Sequence, residues 1–302
     1  MAPLFSLDMV EKFGSGLNQA EGVVIAKDNN VYGGGRDGVL RRVSPDGTVT
    51  EVARIEGAIP NGITLDRQGN LVFCDLGKKA MMRCSLDGKV SLLADHAGDL
   101  RLNTPNFASY DAEGNLYVSN SSSKYDYPHL DPEFQTPAPN GQLVRIRPDG
   151  RGEVVATEIY LANGTAIALD ESAVYVLEST RFDCLRIAIK KDGTFGKPEI
   201  YAQNFPGVPD GMAFDVQGNL YVTIPARIEN GRFRPANMIL KIDTTGFAST
   251  LLDDPKGVTM RSPTNCAFGG PGLQDLYIAN LGGDFFSRVH TPFRGHPLYH
   301  QR

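Results

Sequence analysis

No stretch of this sequence stays apolar for the ~18 residues that a membrane-spanning helix requires. The N-terminal run Met1-Ala2-Pro3-Leu4-Phe5-Ser6-Leu7 lacks the charged n-region and long apolar h-region of a signal peptide. Cysteine is scarce. Cys74, Cys84, Cys184 and Cys266 show neither zinc-ligand spacing nor a dense disulfide framework. They are expected as buried thiols of a reducing cytoplasm, although Cys74 and Cys84 could meet across a hairpin. Excess charge is also missing. With 30 basic and 35 acidic residues the net charge is −5, which leaves no basic face for nucleic acid. No Lys/Arg run marks an acidic membrane surface. Helical periodicity of ~3.6 is not sustained anywhere. No G-x-S-x-G elbow exists, so serine hydrolase chemistry has little support. Gly33-Gly34-Gly35-Arg36-Asp37-Gly38 matches G-x-G-x-x-G, but Val39-Leu40-Arg41-Arg42-Val43 follows it, a strand rather than the helix that motif needs. It reads as a hairpin turn.

What the chain has is a repeat. Six segments open alike: Ala20-Glu21-Gly22-Val23, Pro60-Asn61-Gly62-Ile63, Pro105-Asn106-Phe107-Ala108, Ala162-Asn163-Gly164-Thr165, Pro209-Asp210-Gly211-Met212 and Thr264-Asn265-Cys266-Ala267. Their lead residues are 40, 45, 57, 47 and 55 positions apart. Each segment runs into a short apolar strand. Asp66-x-x-Gly69-Asn70-Leu71, Asp111-x-x-Gly114-Asn115-Leu116 and Asp215-x-x-Gly218-Asn219-Leu220 then repeat one tight hairpin, with Gly and Asn supplying positive φ. Second strands such as Leu116-Tyr117-Val118 and Leu220-Tyr221-Val222 are β-branched and aromatic. Turns such as Pro45-Asp46-Gly47 and Pro148-Asp149-Gly150 lead into outer strands. A strand-only period of this length predicts an all-β, six-bladed β-propeller of four-stranded antiparallel blades, one domain over residues 1–302. The last copy is one strand short. Met9–Phe13 resembles an outer strand without a blade, so it is expected to close the ring, with the tail after His290 outside the blades. His290, His296 and His300 in that tail are expected to be structural.

Two insertions interrupt the rhythm, Ser119–Asn140 in the third blade and Arg227–Pro235 in the fifth. Both leave a second strand and should rise on the face where the lead residues open, as lids. Tyr125, Asp126, Tyr127 and His129 could reach a substrate there, or the loop could pack on itself.

Equivalent positions of radial blades lie on a ring, so Glu21, Asn61, Asn106, Asn163, Asp210 and Asn265 should face one channel. Two carboxylates and four amides suit a hard divalent ion, Ca²⁺, Mg²⁺ or Mn²⁺. The alternative is that Asn-Gly and Asp-Gly are ordinary turn pairs, although a turn would not favour Glu. Arg101 could clamp a carboxylate, phosphate or lactone oxygen, or be a surface arginine.

These motifs carry a resemblance across roughly residues 15–300. Glu21-Gly22, Arg101-Leu102-Asn103-Thr104-Pro105-Asn106, Asn163-Gly164 and Pro209-Asp210-Gly211-Met212-Ala213-Phe214-Asp215 resemble the gluconolactonase/regucalcin (senescence marker protein, luciferin-regenerating enzyme-like) family. The resemblance implies one divalent metal at the channel mouth, calcium first, with Mg, Mn, Zn or Fe as alternatives. Glu21, Asn163 and Asp210 resemble its ligands. Asn106 resembles a substrate contact or fourth ligand, and Arg101 a substrate-binding arginine. Asn61 joins the substrate contacts, and Asp210 could also be the catalytic base. Two departures stand out. Phe107 replaces the usual Asp after Asn106, which implies a less polar pocket, and the third-blade loop is replaced by the insertion. The resulting expectation is a cytoplasmic, metal-dependent lactonase, monomeric or a small homo-oligomer, acting on a small lactone or ester without nucleic acid or membrane. Hydrolysis of a phosphotriester, fluorophosphate or other ester at the same metal, or a non-catalytic propeller that binds a partner, are the alternatives.

Overall fold

The Asp-x-x-Gly-Asn-Leu hairpins fold as their residues demand. Asp66 Oδ1 accepts from the backbone N–H groups of Gln68 at 3.0 Å and Asn70 at 2.9 Å. Gly69 takes φ +82°, a region that a Cβ disfavours. The Asp111 and Asp215 turns repeat this, with Gly114 at +85° and Gly218 at +84°. The asparagine does not share the positive φ, as its place in the motif suggested. Its amide instead turns back onto the aspartate, at 2.9 Å in the first turn, 2.8 Å in the second and 2.7 Å in the third.

In this computed structural model, which describes residues 2–302, the hairpins build six four-stranded antiparallel sheets arranged as a propeller. The innermost strands are Val24–Ile25, Pro60–Leu65, Pro105–Tyr110, Ala162–Ile167, Met212–Phe214 and Pro263–Gly269. In the sixth blade the order outward is Pro263–Gly269, Asp275–Asn280, Phe286–His290 and then Val10–Phe13. The N-terminal strand therefore closes the ring, with Val10 opposite Val289 and Phe13 opposite Phe286. Met9 belongs to the short 3-10 turn Leu7–Met9 that precedes it.

Among the described residues the apolar side chains gather in six clusters, each wedged between two neighbouring blades. The inner strands meet closely around the axis. A Cβ on Gly62 would stand 2.5 Å from the carbonyl oxygen of Asn106, and one on Gly164 2.5 Å from that of Asp210. Gly22 on Asn61 and Gly211 on Thr264 repeat the contact. The glycines after the lead residues are thus required by blade packing, not by turns. All four cysteines are free and buried. Cys74 pairs with Met81 and Cys84 with Leu71, so the two do not face each other across their hairpin.

The tail does more than lie outside the blades. Tyr299 stacks on Tyr110 at 4.9 Å, and Arg67 lies 4.6 Å over its ring. His300 Nε2 meets the carbonyl of Ile25 at 2.9 Å, and burial lowers its pKa to about 4. His296 and Arg302 interact. His290 lies apart from both, bonded to Asp275. The tail covers the channel end opposite the lead residues and encloses a mainly apolar cavity of about 70 Å³ lined by Val23, Ile63, Phe107, Met212, Phe268 and Tyr299 among others.

The insertions differ from each other. The first carries a short helix, Asp131–Gln135, the one α-helix among the described residues. The second is no loop but an extension of its hairpin, strands Leu220–Glu229 and Arg232–Ile242. No helix of the described residues is long and apolar enough to cross a membrane.

Candidate active site

The inner strands do not start as regular ladders. The pairing register slips between Pro60 and Ile63, Pro105 and Phe107, Ala162 and Thr165, and Pro263 and Asn265. A bulge re-aims the side chain it carries, and each slip lies at a lead asparagine. Asn61, Asn106, Asn163 and Asn265 are buried within these strands. Glu21 and Asp210 stand just ahead of the two shortest inner strands, Val24–Ile25 and Met212–Phe214, and keep partial exposure.

Hydroxyls on or just past the second strands, and Thr264 on an inner strand, tie four of the six seams between neighbouring blades. Asn106 Nδ2 donates to Ser121 Oγ at 2.9 Å, which donates to the carbonyl of Ala162 at 2.7 Å. Asn163 Nδ2 donates to Ser179 Oγ at 3.0 Å, which donates to Pro209 O at 2.7 Å. Thr223 Oγ1 donates to Thr264 O at 2.9 Å, and Thr264 Oγ1 donates to Glu21 O at 2.9 Å. Asn61 Nδ2 donates to Asn106 Oδ1 at 2.8 Å. These bonds use the amide N–H groups and leave oxygens behind. Asn61 Oδ1, Asn163 Oδ1 and both polar side-chain atoms of Asn265 are buried without a partner.

The carboxylates sense the same surroundings. Burial pushes Glu21 above the ordinary carboxylate range, while the Arg36 guanidinium and the Asn61 amide pull it down. Burial pushes Asp210 well above that range and the charge of Glu21 adds to the rise, against Asn163 and Arg36. The charge of Arg36 thus acts on both carboxylates. Its Nη2 lies 3.4 Å from Glu21 Oε2.

The first insertion reaches this mouth. Tyr127 lies under Arg36, with the guanidinium 4.7 Å over its ring and Nη1 donating to its hydroxyl. Asp126 pairs with Lys79 at 2.9 Å and with His129 at 3.1 Å. The backbone carbonyl of Tyr125 accepts from Asn103 Nδ2 and Thr104 Oγ1, both at 2.9 Å. Glu133, buried, accepts from Ser122 Oγ at 2.6 Å and Asn140 Nδ2 at 2.9 Å, pinning the helix to its stem. Phe134 meets Phe233 of the second insertion edge-on at 4.9 Å. The two insertions touch each other, and the first spans from the third blade to residues of the first and second.

The contacts above do not include Arg101. It is exposed, on a two-stranded ribbon formed by His96–Ala97 and Leu100–Arg101 between the second and third blades. Arg36, by contrast, sits at the ring and was hidden within the Gly33–Gly38 turn. No sequence pattern singled it out; its backbone is held against Asn18, whose carbonyl accepts from Arg36 N at 2.9 Å.

Fold and site together define a six-bladed propeller with a polar mouth above an apolar, tail-covered channel. The chain belongs to the SMP-30/Gluconolactonase/LRE-like region family, which matches residues 20–281. It is 26% identical to the gluconolactonase of Zymomonas mobilis subsp. mobilis over 296 residues, 89% of this chain and 78% of that one. With the pentonolactonase XacC of Haloferax volcanii it shares 26% over 255 residues, 82% of this chain and 75% of that one. It is 27% identical over 218 residues to the strictosidine synthase-like 4 protein of Arabidopsis thaliana. That match covers 70% of this chain, which spans 58% of that relative's length. Among solved structures, a luciferin-regenerating enzyme superposes with TM-score 0.74 at 19% identity, covering 95% of this chain and 96% of that one. A calcium-binding protein, regucalcin, of Agrobacterium tumefaciens gives 0.73 at 17%, covering 99% of both. These two likenesses carry the fold.

Proposed function

We propose that the chain is a divalent-metal-dependent hydrolase that opens a lactone or related cyclic ester. The observation that carries this is the pairing of Glu21 and Asp210 at a ring where the buried amide oxygens of Asn61, Asn163 and Asn265 lack partners. An unpaired buried polar atom costs about 1–3 kcal/mol. A hard cation and its waters answer several at once. Among the described residues no three His, Cys, Asp or Glu side chains gather, so the donors are two carboxylates plus amides, a set that suits calcium, magnesium or manganese. Two carboxylates neutralise a divalent charge. The gluconolactonase and pentonolactonase relatives point to lactones, and the regucalcin neighbour to calcium first.

In this reading Glu21, Asn163 and Asp210 hold the ion, with Asn106 as a further donor. Once bound, the ion supplies Lewis-acid polarisation of the substrate carbonyl. Asp210 keeps one oxygen for the attacking water and accepts its proton, which requires a free lone pair within ~3 Å. Asn61 and Asn106, locked to each other and to Ser121, present fixed amides to the substrate. Arg101 is retained as a substrate contact on the resemblance alone, and Arg101→Ala tests it. The lid excludes water from the mouth.

The test is the metal content of purified protein, followed by a panel of lactones, aryl esters and phosphotriesters. One bound divalent ion and fastest turnover on lactones is the expected result. Fastest turnover on phosphotriesters would move the chemistry to phosphorus. Metal-free protein that hydrolyses nothing would leave a partner-binding propeller.

A further inference from the structure

We propose that Arg36, held by Tyr127 of the lid, makes this site selective for lactones that carry an acidic group. The inference rests on the lactonase reading and names its substrate class.

Arg36 stands 3.4 Å from Glu21, and its charge is also felt by Asp210. Its side chain keeps 21% exposure, so it lies at the mouth rather than in a blade. Its other side-chain partner is neutral, the hydroxyl and ring of Tyr127. The remaining charges nearby are already matched: Arg41 with Asp37 at 2.6 Å, and Lys79 with Asp126 at 2.9 Å. When a divalent ion engages Glu21 and Asp210, their two negative charges are spent on it. The guanidinium then has no anion, and the mouth carries one net positive charge. Arginine offers a planar fork of N–H donors that matches a carboxylate or similar oxyanion bidentately. Tyr127 stacks beneath the guanidinium and fixes the direction of that fork. The group that completes the site is therefore an oxyanion on the substrate, of carboxylate, sulfonate or phosphate type. Arg101, exposed on its ribbon, has no such contact with the ring.

The same geometry makes Arg36 a competitor of the metal for Glu21. Removing the guanidinium should tighten metal binding, whereas an arginine with a purely structural role would leave metal affinity alone.

The experiment uses the full chain loaded with Ca²⁺. Metal affinity is measured by calorimetry, and kcat and KM are measured on two lactones of one ring size, a neutral aldonolactone and its counterpart with a carboxylate in place of the terminal hydroxymethyl. Sulfonate- and phosphate-bearing counterparts identify which oxyanion is preferred. Wild type should favour an acidic lactone. Arg36→Gln should lose about 10²-fold in kcat/KM on it, mostly through KM, change within about threefold on the neutral one, and bind Ca²⁺ several-fold more tightly. Arg36→Lys, which keeps the charge but not the fork, should fall between. Tyr127→Phe, which spares the ring, should lose part of the preference and covers the case in which Arg36→Gln fails to fold. Equal losses on both lactones, a wild-type preference for the neutral one, or unchanged Ca²⁺ affinity in Arg36→Gln would overturn the proposal while leaving the lactonase intact. Ca²⁺ binding with no turnover of any lactone would instead fail the lactonase reading itself.

Discussion

Phe13→Ala removes the side chain at one end of the strand that closes the ring. Phe13 is 5% exposed and lies opposite Phe286. Its ring meets Tyr277 edge-on at 5.5 Å, and Arg288 covers it at 4.6 Å. Truncating a buried phenylalanine costs about 3–5 kcal/mol, and the aromatic pair contributes ~0.5–1.5 of that. A typical fold is stable by only ~5–15 kcal/mol. The loss should therefore be a large fraction of the total, because the sixth blade binds its last strand through few side chains. Glu11→Ala is the control. It sits on the same strand and pairs with Arg288 at 2.7 Å, but its side chain is 59% exposed, so the pair is worth ~0–1 kcal/mol. Urea unfolding followed by tyrosine fluorescence compares the two variants with wild type. A loss under ~1 kcal/mol for Phe13→Ala, no larger than for Glu11→Ala, would refute closure by this strand. Deleting residues 1–13 should abolish soluble folding, and an unchanged melting curve would refute the same reasoning more bluntly.

Asp210→Asn should lower kcat by ~10²–10⁴, the usual contribution of a positioned base, with weaker but measurable metal binding; full turnover at saturating metal would eliminate Asp210 as the base. Glu21→Gln should weaken metal binding, and excess metal should restore most of the rate; unchanged metal affinity in both variants would remove the site. Replacing residues 123–139 by a short Gly/Ser link should change substrate preference while metal stays bound, and loss of the metal would show that the lid also builds the site. Burial, then Glu178, raise the Asp183 carboxyl to about 8. The folded protein therefore holds a proton that the unfolded chain, with an Asp pKa of about 3.9, has released. Stability should fall as pH rises from about 4 to about 8. Asp183→Asn should flatten that slope in melting temperatures taken at pH 5 and pH 8.5, and parallel slopes would contradict the assignment.

The propeller was legible because its period is written in residues that act locally. The Asp-x-x-Gly-Asn hairpins, the β-branched second strands and the orphan N-terminal strand each specify their own geometry within a few positions. The ring was legible for the same reason, since six lead residues at one point of a repeat must share an axis. Arg36 was not, because a cation inside a glycine turn has no pattern that points it at the channel. Only the closeness of the first blade to the lid does so. The Asn-Gly pairs left a turn open as the alternative because turn chemistry and close inter-blade packing both call for a residue without a Cβ. The second insertion looked like a loop because it interrupts the repeat, yet Pro225 and Pro235 are accommodated in a longer hairpin, since a proline is tolerated at bulges and edges. A register slip lies between Ile224 and Ala226, at Pro225. The tail's cover over the channel depends on residues far apart in the chain, such as Tyr110 with Tyr299 and Ile25 with His300, which no local pattern records.

The glycine contacts are spread unevenly around the axis. They join the first blade to the second, the second to the third, the fourth to the fifth and the fifth to the sixth. At the other two seams Phe107 and Cys266 stand where glycine would, and of the two kinds of tie only the hydroxyl-to-carbonyl bonds, from Ser121 and Thr264, cross there. Those seams are diametrically opposite. A line through those two seams divides the ring into halves of three blades, each sewn internally by bare-backbone contacts. Glu21 stands in one half and Asp210 in the other. An ion held by both carboxylates, as proposed, would therefore tie together the two halves that the glycine contacts leave unjoined.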